Sequence, residues 1–316
     1  MADMSRNTSR VPPASLSAPL AAPPASALVA MLGGAVAMVF VGSSVAVSGE
    51  LLGSPLFTAQ AARYAAACAL LLTVARAKGR RPQFPRGAEW LWLLGVAVAG
   101  LVVFNVALIE GSRYAEPAVL GVAVACVPLV LAVAAPLIEG ARPNPPVLIA
   151  ALVVTCGAAL VQGGGRSTVR GLMWALVVLG CEVGFTLFAV PVLRRHGPWG
   201  VSVHATWLAA VVFAVTGLIV EGPSAVLRLT GRDWLAVLYL AVGVTATAFV
   251  LWYGSVRRLG ASVAGLLTGV APVAAAVAGV SLGGQPPRPS VWLGIAVVAG
   301  GLALGLPASR RQRERR

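Results

Sequence analysis

A stretch of fifty residues occurs twice in this chain. Residues 113–162 align without a gap on residues 257–306, 144 positions later, and 16 of the 50 are identical. Chance agreement in so Ala-, Val-, Leu- and Gly-rich a chain would be roughly 5. The matches fall where backbone geometry matters: Arg113/Arg257, Gly121/Gly265, Pro128/Pro272, Gly140/Gly284, Pro143/Pro287, Pro145/Pro289 and Gly157/Gly301. Such a chain must fold as two related halves.

Composition decides the solvent. Hydrophobic residues make up 58% of the chain and charged residues 11%, against about 25% charged in soluble domains, too few to cover a water-facing surface. Apolar runs near twenty residues recur along the chain, and about twenty helical residues cross a ~30 Å hydrocarbon layer. The runs predict ten helices, at 28–49, 55–75, 89–109, 117–138, 147–163, 172–193, 199–220, 234–256, 261–282 and 291–306. Residues 1–27, rich in Pro, Ala and Ser, read as a disordered cytoplasmic tail rather than a cleaved signal peptide, and 308–316 as a basic one. The halves are then 28–163 and 164–307. Pro128, Pro191 and Pro272 fall inside predicted helices and should bend them.

The net charge of +14 would suggest nucleic acid in a soluble chain. Here the basic residues sit at the ends of apolar runs, so orientation is the simpler reading and no nucleic-acid partner is expected. With the N-terminus inside, cytoplasmic segments hold seventeen Lys and Arg and the outer loops six. Both termini are therefore expected in the cytoplasm, in a multi-pass protein of the plasma membrane. Five helices per half is an odd number, so the halves enter the bilayer from opposite sides. The fold class expected is an all-α integral membrane protein of ten transmembrane helices in two inverted five-helix repeats. Inverted repeats recur in transporters, with a site near the midplane alternately exposed to each face.

The same residues carry a resemblance. GSRYAEPAVLGVAVACVPLVLAVAAPLIEGARPNPP in the first half and VRRLGASVAGLLTGVAPVAAAVAGVSLGGQPPRPS in the second are similar to the repeats of the drug/metabolite transporter superfamily. The match is to its ten-helix branch with two EamA-type repeats. The resemblance covers about 28–306, and in TAQAARYAAACALLL it makes Arg63 look like the arginine of the second helix. It implies transport of amino acids, other metabolites, drugs or nucleotide-linked sugars without choosing among them. The acidic turn after the fourth helix looks like Glu139 in half one, whereas half two has Gly283, Gly284 and Gln285.

Polar residues within the apolar runs are the site candidates. Glu182 lies ten residues after Leu172 and twelve before Arg194, about 15 to 18 Å from either end of its helix. A charge at that depth costs at least ~2.5 kcal/mol, and intramembrane acids usually serve a function. Hydrocarbon favours the neutral form, which suits a proton-coupling or substrate-binding carboxyl group, with Thr186 one turn away as a hydrogen-bond partner. A permanently neutral, hydrogen-bonded carboxyl group is the structural alternative.

Arg63 lies about 12 Å below the outer end of helix two, with Gln60 and Ala67 on its face. It can bind a substrate carboxylate or phosphate, or pair with Glu50 or Glu110. Asn105, Trp252 and Tyr253 can supply hydrogen bonds and an aromatic wall, or serve as interhelical contacts. His204, near the cytoplasmic end of helix seven, can relay protons or sit at the interface. Gly301 and Gly305 permit close packing within the chain or in a homodimer.

Cys68, Cys126, Cys156 and Cys181 lie in apolar runs without paired spacing, so they read as small core residues and neither a disulfide nor a metal is expected. Gly163–Gly165 is followed by Arg166 and Ser167, not the Lys-Ser/Thr of a phosphate-binding loop, and no cofactor is expected. No helical HExxH or GxSxG turn occurs, and two histidines make an intramembrane enzyme a poor reading. The expected function is secondary active export of small organic metabolites by alternating access, with a small-molecule substrate and the bilayer as partners. A multidrug exporter and a non-transporting membrane partner are the alternatives.

Overall fold

The computed structural model describes residues 25–48, 51, 53–281 and 288–313. Most of the N-terminal tail, Glu50, and the Gly283–Gln285 turn fall outside these residues. The helices are α1 Ala25–Ser48, α2 Leu56–Ala77, α3 Glu89–Ser112, α4 Pro117–Ile138, α5 Pro145–Gln162, α6 Val169–Leu187, α7 Val190–Val220, α8 Gly231–Leu259, α9 Ala261–Ala278 and α10 Pro289–Arg313. Nine of the described helices are long and apolar enough to span a bilayer, and α10 contains a shorter apolar stretch, Pro289–Gly305. The chain is thus an all-helical, multi-pass membrane protein. The helix at the C-terminus runs on to Arg313, so residues 308–313 of the expected basic tail continue α10.

Local chemistry sets the helix starts. Pro117 and Pro145 occupy first turns, where the missing N–H costs nothing. Thr168 accepts from the Gly171 N–H at 3.2 Å at the start of α6, and Thr230 and Asp233 form a reciprocal capping box at the start of α8. Outside the helices, Arg166 hydrogen-bonds Glu116 and holds its carboxyl below the ordinary range.

The three expected prolines stand just after interruptions of the regular α-helical ladder. Pro128 lies in the first turn of a helix that restarts after Cys126, and Pro272 follows a 3-10 turn at Leu267–Gly269. Pro191 is not inside a helix as the sequence suggested. α6 stops at Leu187, and Pro191 sits in the first turn of α7. A proline cannot donate to the carbonyl four residues back, so the ladder breaks just ahead of it. α7 also turns at Gly197, whose φ of 62° suits a residue without Cβ, and resumes at Pro198.

Helix pairing respects the duplication. α2 packs on α7, α5 on α10 and α4 on α9, each pair joining equivalent helices of the two halves, while α1–α8 mirrors α6–α3. Each half has an odd number of helices, so this is a pseudo-two-fold arrangement of inverted repeats. α5 and α10 approach closely enough for their backbones to meet. A Cβ on Gly157 would stand 2.7 Å from the Val298 nitrogen, and one on Gly301 would stand 2.9 Å from the Val154 nitrogen. Gly305 faces Leu266 and Ala150. The small-residue pair of α10 is therefore used within the chain.

α3 and α8, equivalent helices, each contain a π-helical segment, Val98–Val103 and Leu240–Thr247. The segments overlap when shifted by the repeat of 144 residues. The central core includes Leu101 of the first segment with Tyr64, Phe213, Phe249, Trp252 and Tyr253. The cysteines are unpaired, and Cys156 is exposed on an apolar helix face rather than in the core expected for it.

Candidate functional site

Arg63 is buried, with 9% of its surface accessible, on the face of α2 that meets α8. Its Nε donates to Thr245 Oγ1 at 2.9 Å and its Nη1 to Gln60 Oε1 at 3.3 Å, and its guanidinium lies 5.0 Å from the centroid of the Tyr64 ring. Among the described residues no carboxylate pairs with it. Glu110, one of the two expected partners, lies 3.4 Å from Arg113 instead, and Glu50 is outside the described residues. Tyr64 stacks on Phe213 at 5.6 Å, which fixes the aromatic side of the arginine.

Asn105 joins this cluster from α3. Gln60 Nε2 donates to Asn105 Oδ1 at 2.9 Å, and Asn105 Nδ2 donates to the Leu101 carbonyl at 2.6 Å and to the Tyr64 hydroxyl at 3.3 Å. Leu101 and Thr245 are equivalent positions of the two halves and both lie in π segments. A π turn shifts the backbone ladder, leaving polar groups to be satisfied from outside it, and such turns cluster at functional sites. Here the segment of the first half anchors Asn105 and that of the second half anchors Arg63, both of them residues of the first half.

Glu182 forms a second cluster, on the side of α6 opposite the exposed Met173 and Gly180. It faces the bundle and yet retains intermediate exposure, so its surroundings are not fully packed. Among the described residues no side chain hydrogen-bonds to it. Thr186, the expected partner, instead accepts the indole N–H of Trp252 at 3.3 Å. Tyr253 donates to the Phe185 carbonyl at 3.2 Å, and Phe185 packs between Phe249 and Tyr253 with centroids 4.9 and 5.1 Å away. Trp252 and Tyr253, both buried, make these contacts with the helix that carries Glu182.

Both clusters are carried by α8. Thr245 and Tyr253 are eight residues apart, or about 12 Å along the helix axis. Phe185 also rests on Gly100 in the π segment of α3. The candidates thus form one polar and aromatic column at the junction of α2, α3, α6 and α8, with Arg63 at one level and Glu182 at another.

Each end of the bundle carries a polar latch between the halves. At the end formed by the α1–α2 and α7–α8 connections, Glu221 accepts the backbone N–H groups of Phe57 and Thr58 at 2.9 Å each and the Thr58 hydroxyl at 2.6 Å. Ser54 donates to Asp233 at 2.7 Å. At the opposite, arginine-rich end, Arg195 pairs with Glu89 and donates to Gln83 Oε1 at 3.1 Å and the Phe84 carbonyl at 3.3 Å. His204 joins this latch at 2.8 Å from the Gln83 carbonyl.

Sequence reasoning missed Thr245, Tyr64 and the latch acids Glu89, Glu221 and Asp233. Thr245 was visible as a hydroxyl in an apolar run, but nothing along the chain linked it to Arg63. The acids sit at helix ends, where charge is ordinary.

Comparison with known proteins agrees with this architecture. The EamA-like transporter family model matches residues 28–162 and again 169–306. The uncharacterized transporter YetK of Bacillus subtilis is 26% identical over 277 residues, covering 85% of this chain and 84% of that protein. The aromatic amino acid exporter YddG of Ancylobacter novellus is 25% identical over 256 residues, covering 77% and 88%. A crystal structure 23% identical in sequence superposes with a TM-score of 0.75 over 90% of this chain and 98% of its own, so the two share a fold. With both halves matched, the chain belongs to the EamA-like transporter family and is a membrane transporter, not an enzyme.

Proposed function

We propose that the protein is a secondary active exporter of small carboxylate-bearing metabolites, such as amino acids or related compounds, working by alternating access in the plasma membrane. The observation that carries this reading is Arg63, a buried guanidinium at the junction of the two halves that no carboxylate among the described residues neutralises. A buried cation without a counter-ion is costly, and a planar carboxylate is the ligand its donor fork fits. The neighbouring Tyr64, Phe213, Phe185 and Tyr253 offer apolar rings to the rest of such a solute. The relative named as an aromatic amino acid exporter supports the same chemistry.

In this reading the arginine-rich end faces the cytoplasm, as the distribution of Lys and Arg favours, and both termini lie there. The two latches open in turn. Glu182, inward-facing and without a hydrogen-bonded partner among the described residues, carries the coupling proton. Purified protein in vesicles should exchange labelled amino acids faster than empty vesicles do, and an imposed pH gradient should bias the direction. Exchange by Arg63→Gln equal to that of the parent would end the reading.

A further inference from the structure

The pseudo-symmetry of α2 and α7 exposes an asymmetry in charge. At one end the first turn of α2 is filled by a carboxylate of the chain, Glu221, whose oxygens take the N–H groups of Phe57 and Thr58. The counterpart is the first turn of α7 where it resumes after Gly197. Pro198 has no N–H, and the amides of Trp199 and Gly200 have no carbonyl four residues earlier in the resumed helix. The residues that follow α2, where Glu221 follows α7, are basic: Lys78 and Arg80 lie 5.4 and 5.6 Å from the Trp199 ring centroid. Among the described residues no acid takes the place of Glu221 at this turn.

Instead this turn opens onto a cavity of about 240 Å³ lined by Arg80, Arg81, Arg194, Arg195, Arg257 and His196, among others. Among the described residues, the one carboxylate in an ion pair with this lining is Glu89, on Arg195 and His196. Arg257 Nη1 stands 3.3 Å from where a Cβ on Gly197 would be, so its guanidinium rests on the start of the helix. His196 is a separate pointer. Its side chain is fully buried, its Nε2 lies 3.2 Å from Glu89 Oε2, and its Nδ1, packed against Gly200 in the first turn, has no hydrogen-bond partner. Buried polar atoms are rarely left so.

We propose that this cavity binds a phosphate-type oxyanion, brought either by a free phosphate group or by an anionic lipid headgroup, between Arg257, Arg80, the first turn of α7 and His196. Helix N-termini and arginine forks are the two groups best suited to such a ligand. A P–OH group can donate to Nδ1, and a charged imidazole can donate to a phosphate oxygen. The site lies at the mouth of the bundle, away from the Arg63 and Glu182 column, and does not depend on the identity of the transported solute.

The test uses the full chain in phosphatidylcholine nanodiscs. In the first arm inorganic phosphate is titrated against chloride at equal ionic strength while thermal unfolding is followed. In the second, phosphatidylglycerol replaces part of the lipid. A saturable stabilisation by inorganic phosphate identifies a free phosphate ligand, and stabilisation by phosphatidylglycerol alone identifies a headgroup. Arg257→Gln and His196→Gln should each weaken whichever response is seen by roughly tenfold. Hydrogen exchange on the unaltered protein provides a check that needs no variant: the amides of Trp199 and Gly200 should gain protection in the responsive arm. No stabilisation in either arm, stabilisation unchanged in both variants, or no protection at this turn would overturn the proposal.

Discussion

Arg63 and Glu182 differ in how they are held, and their expected phenotypes differ accordingly. Arg63 is fixed by Thr245, Gln60 and Tyr64, so Arg63→Gln should leave the helices packed while removing a charged contact. Such contacts contribute roughly 1.5–3 kcal/mol, or about ten- to a hundredfold in apparent affinity for a carboxylate substrate. Arg63→Lys should recover little, because a point charge on a flexible stem replaces a planar fork. Transport kinetics in vesicles separate these outcomes, with KM rising in both variants. Glu182→Gln keeps the shape and removes the titrating proton. Flux driven by a pH gradient should fall to the level seen without one, while solute exchange at equal pH persists. A gradient response equal to that of the parent would exclude Glu182 from coupling.

Packing, more than local propensity, governs the elements. The contact of α5 with α10 depends on glycines that let the backbones meet, with Gly157 and Gly301 in equivalent positions. Gly157→Val would drive a side chain into the backbone at Val298 and Gly294. Overpacking of this kind costs about 1–3 kcal/mol where side chains can yield, and backbone yields less. The midpoint of thermal unfolding in detergent should fall by roughly 5 °C or more. Gly180→Ala, with nothing within 4 Å of the added carbon, should leave it unchanged. The π segments of α3 and α8 show how an element can serve a site. They turn Leu101 and Thr245 toward side chains that an uninterrupted helix would not satisfy.

Across the whole molecule, the two latches tie one half to the other at both ends. The proposed alternating access requires that they release separately. Glu221 bonds two backbone amides and a hydroxyl of α2, so Glu221→Gln should loosen that end while leaving the Glu89 latch closed. Ala59, 1% exposed at the contact of α2 with α8, provides the readout. An Ala59→Cys probe in a chain without its native cysteines should react roughly tenfold faster with an impermeant maleimide when Glu221→Gln is added, given about 1.4 kcal/mol lost from the closed state. An unchanged rate would mean that Glu221 does not hold this end shut.

The ten apolar runs, the duplication and the odd number of helices per half were legible in the chain alone. Hydrophobic length and internal identity are properties of single segments, which the bilayer reads one at a time. Helix ends were less legible, because a run can stay apolar across a break such as that at Phe188–Ala189, where the hydrogen-bond ladder lapses while hydropathy does not change. What only the tertiary structure decided is which polar groups meet. Thr245 reaches Arg63 across 182 positions and Glu221 caps a helix 164 residues earlier, whereas the Thr186 partner expected within one turn of Glu182 turned to Trp252 instead. Periodicity tells which side of a helix faces inward, but the partner it finds there is set by how two halves, each folded by its own hydrophobicity, close on one another.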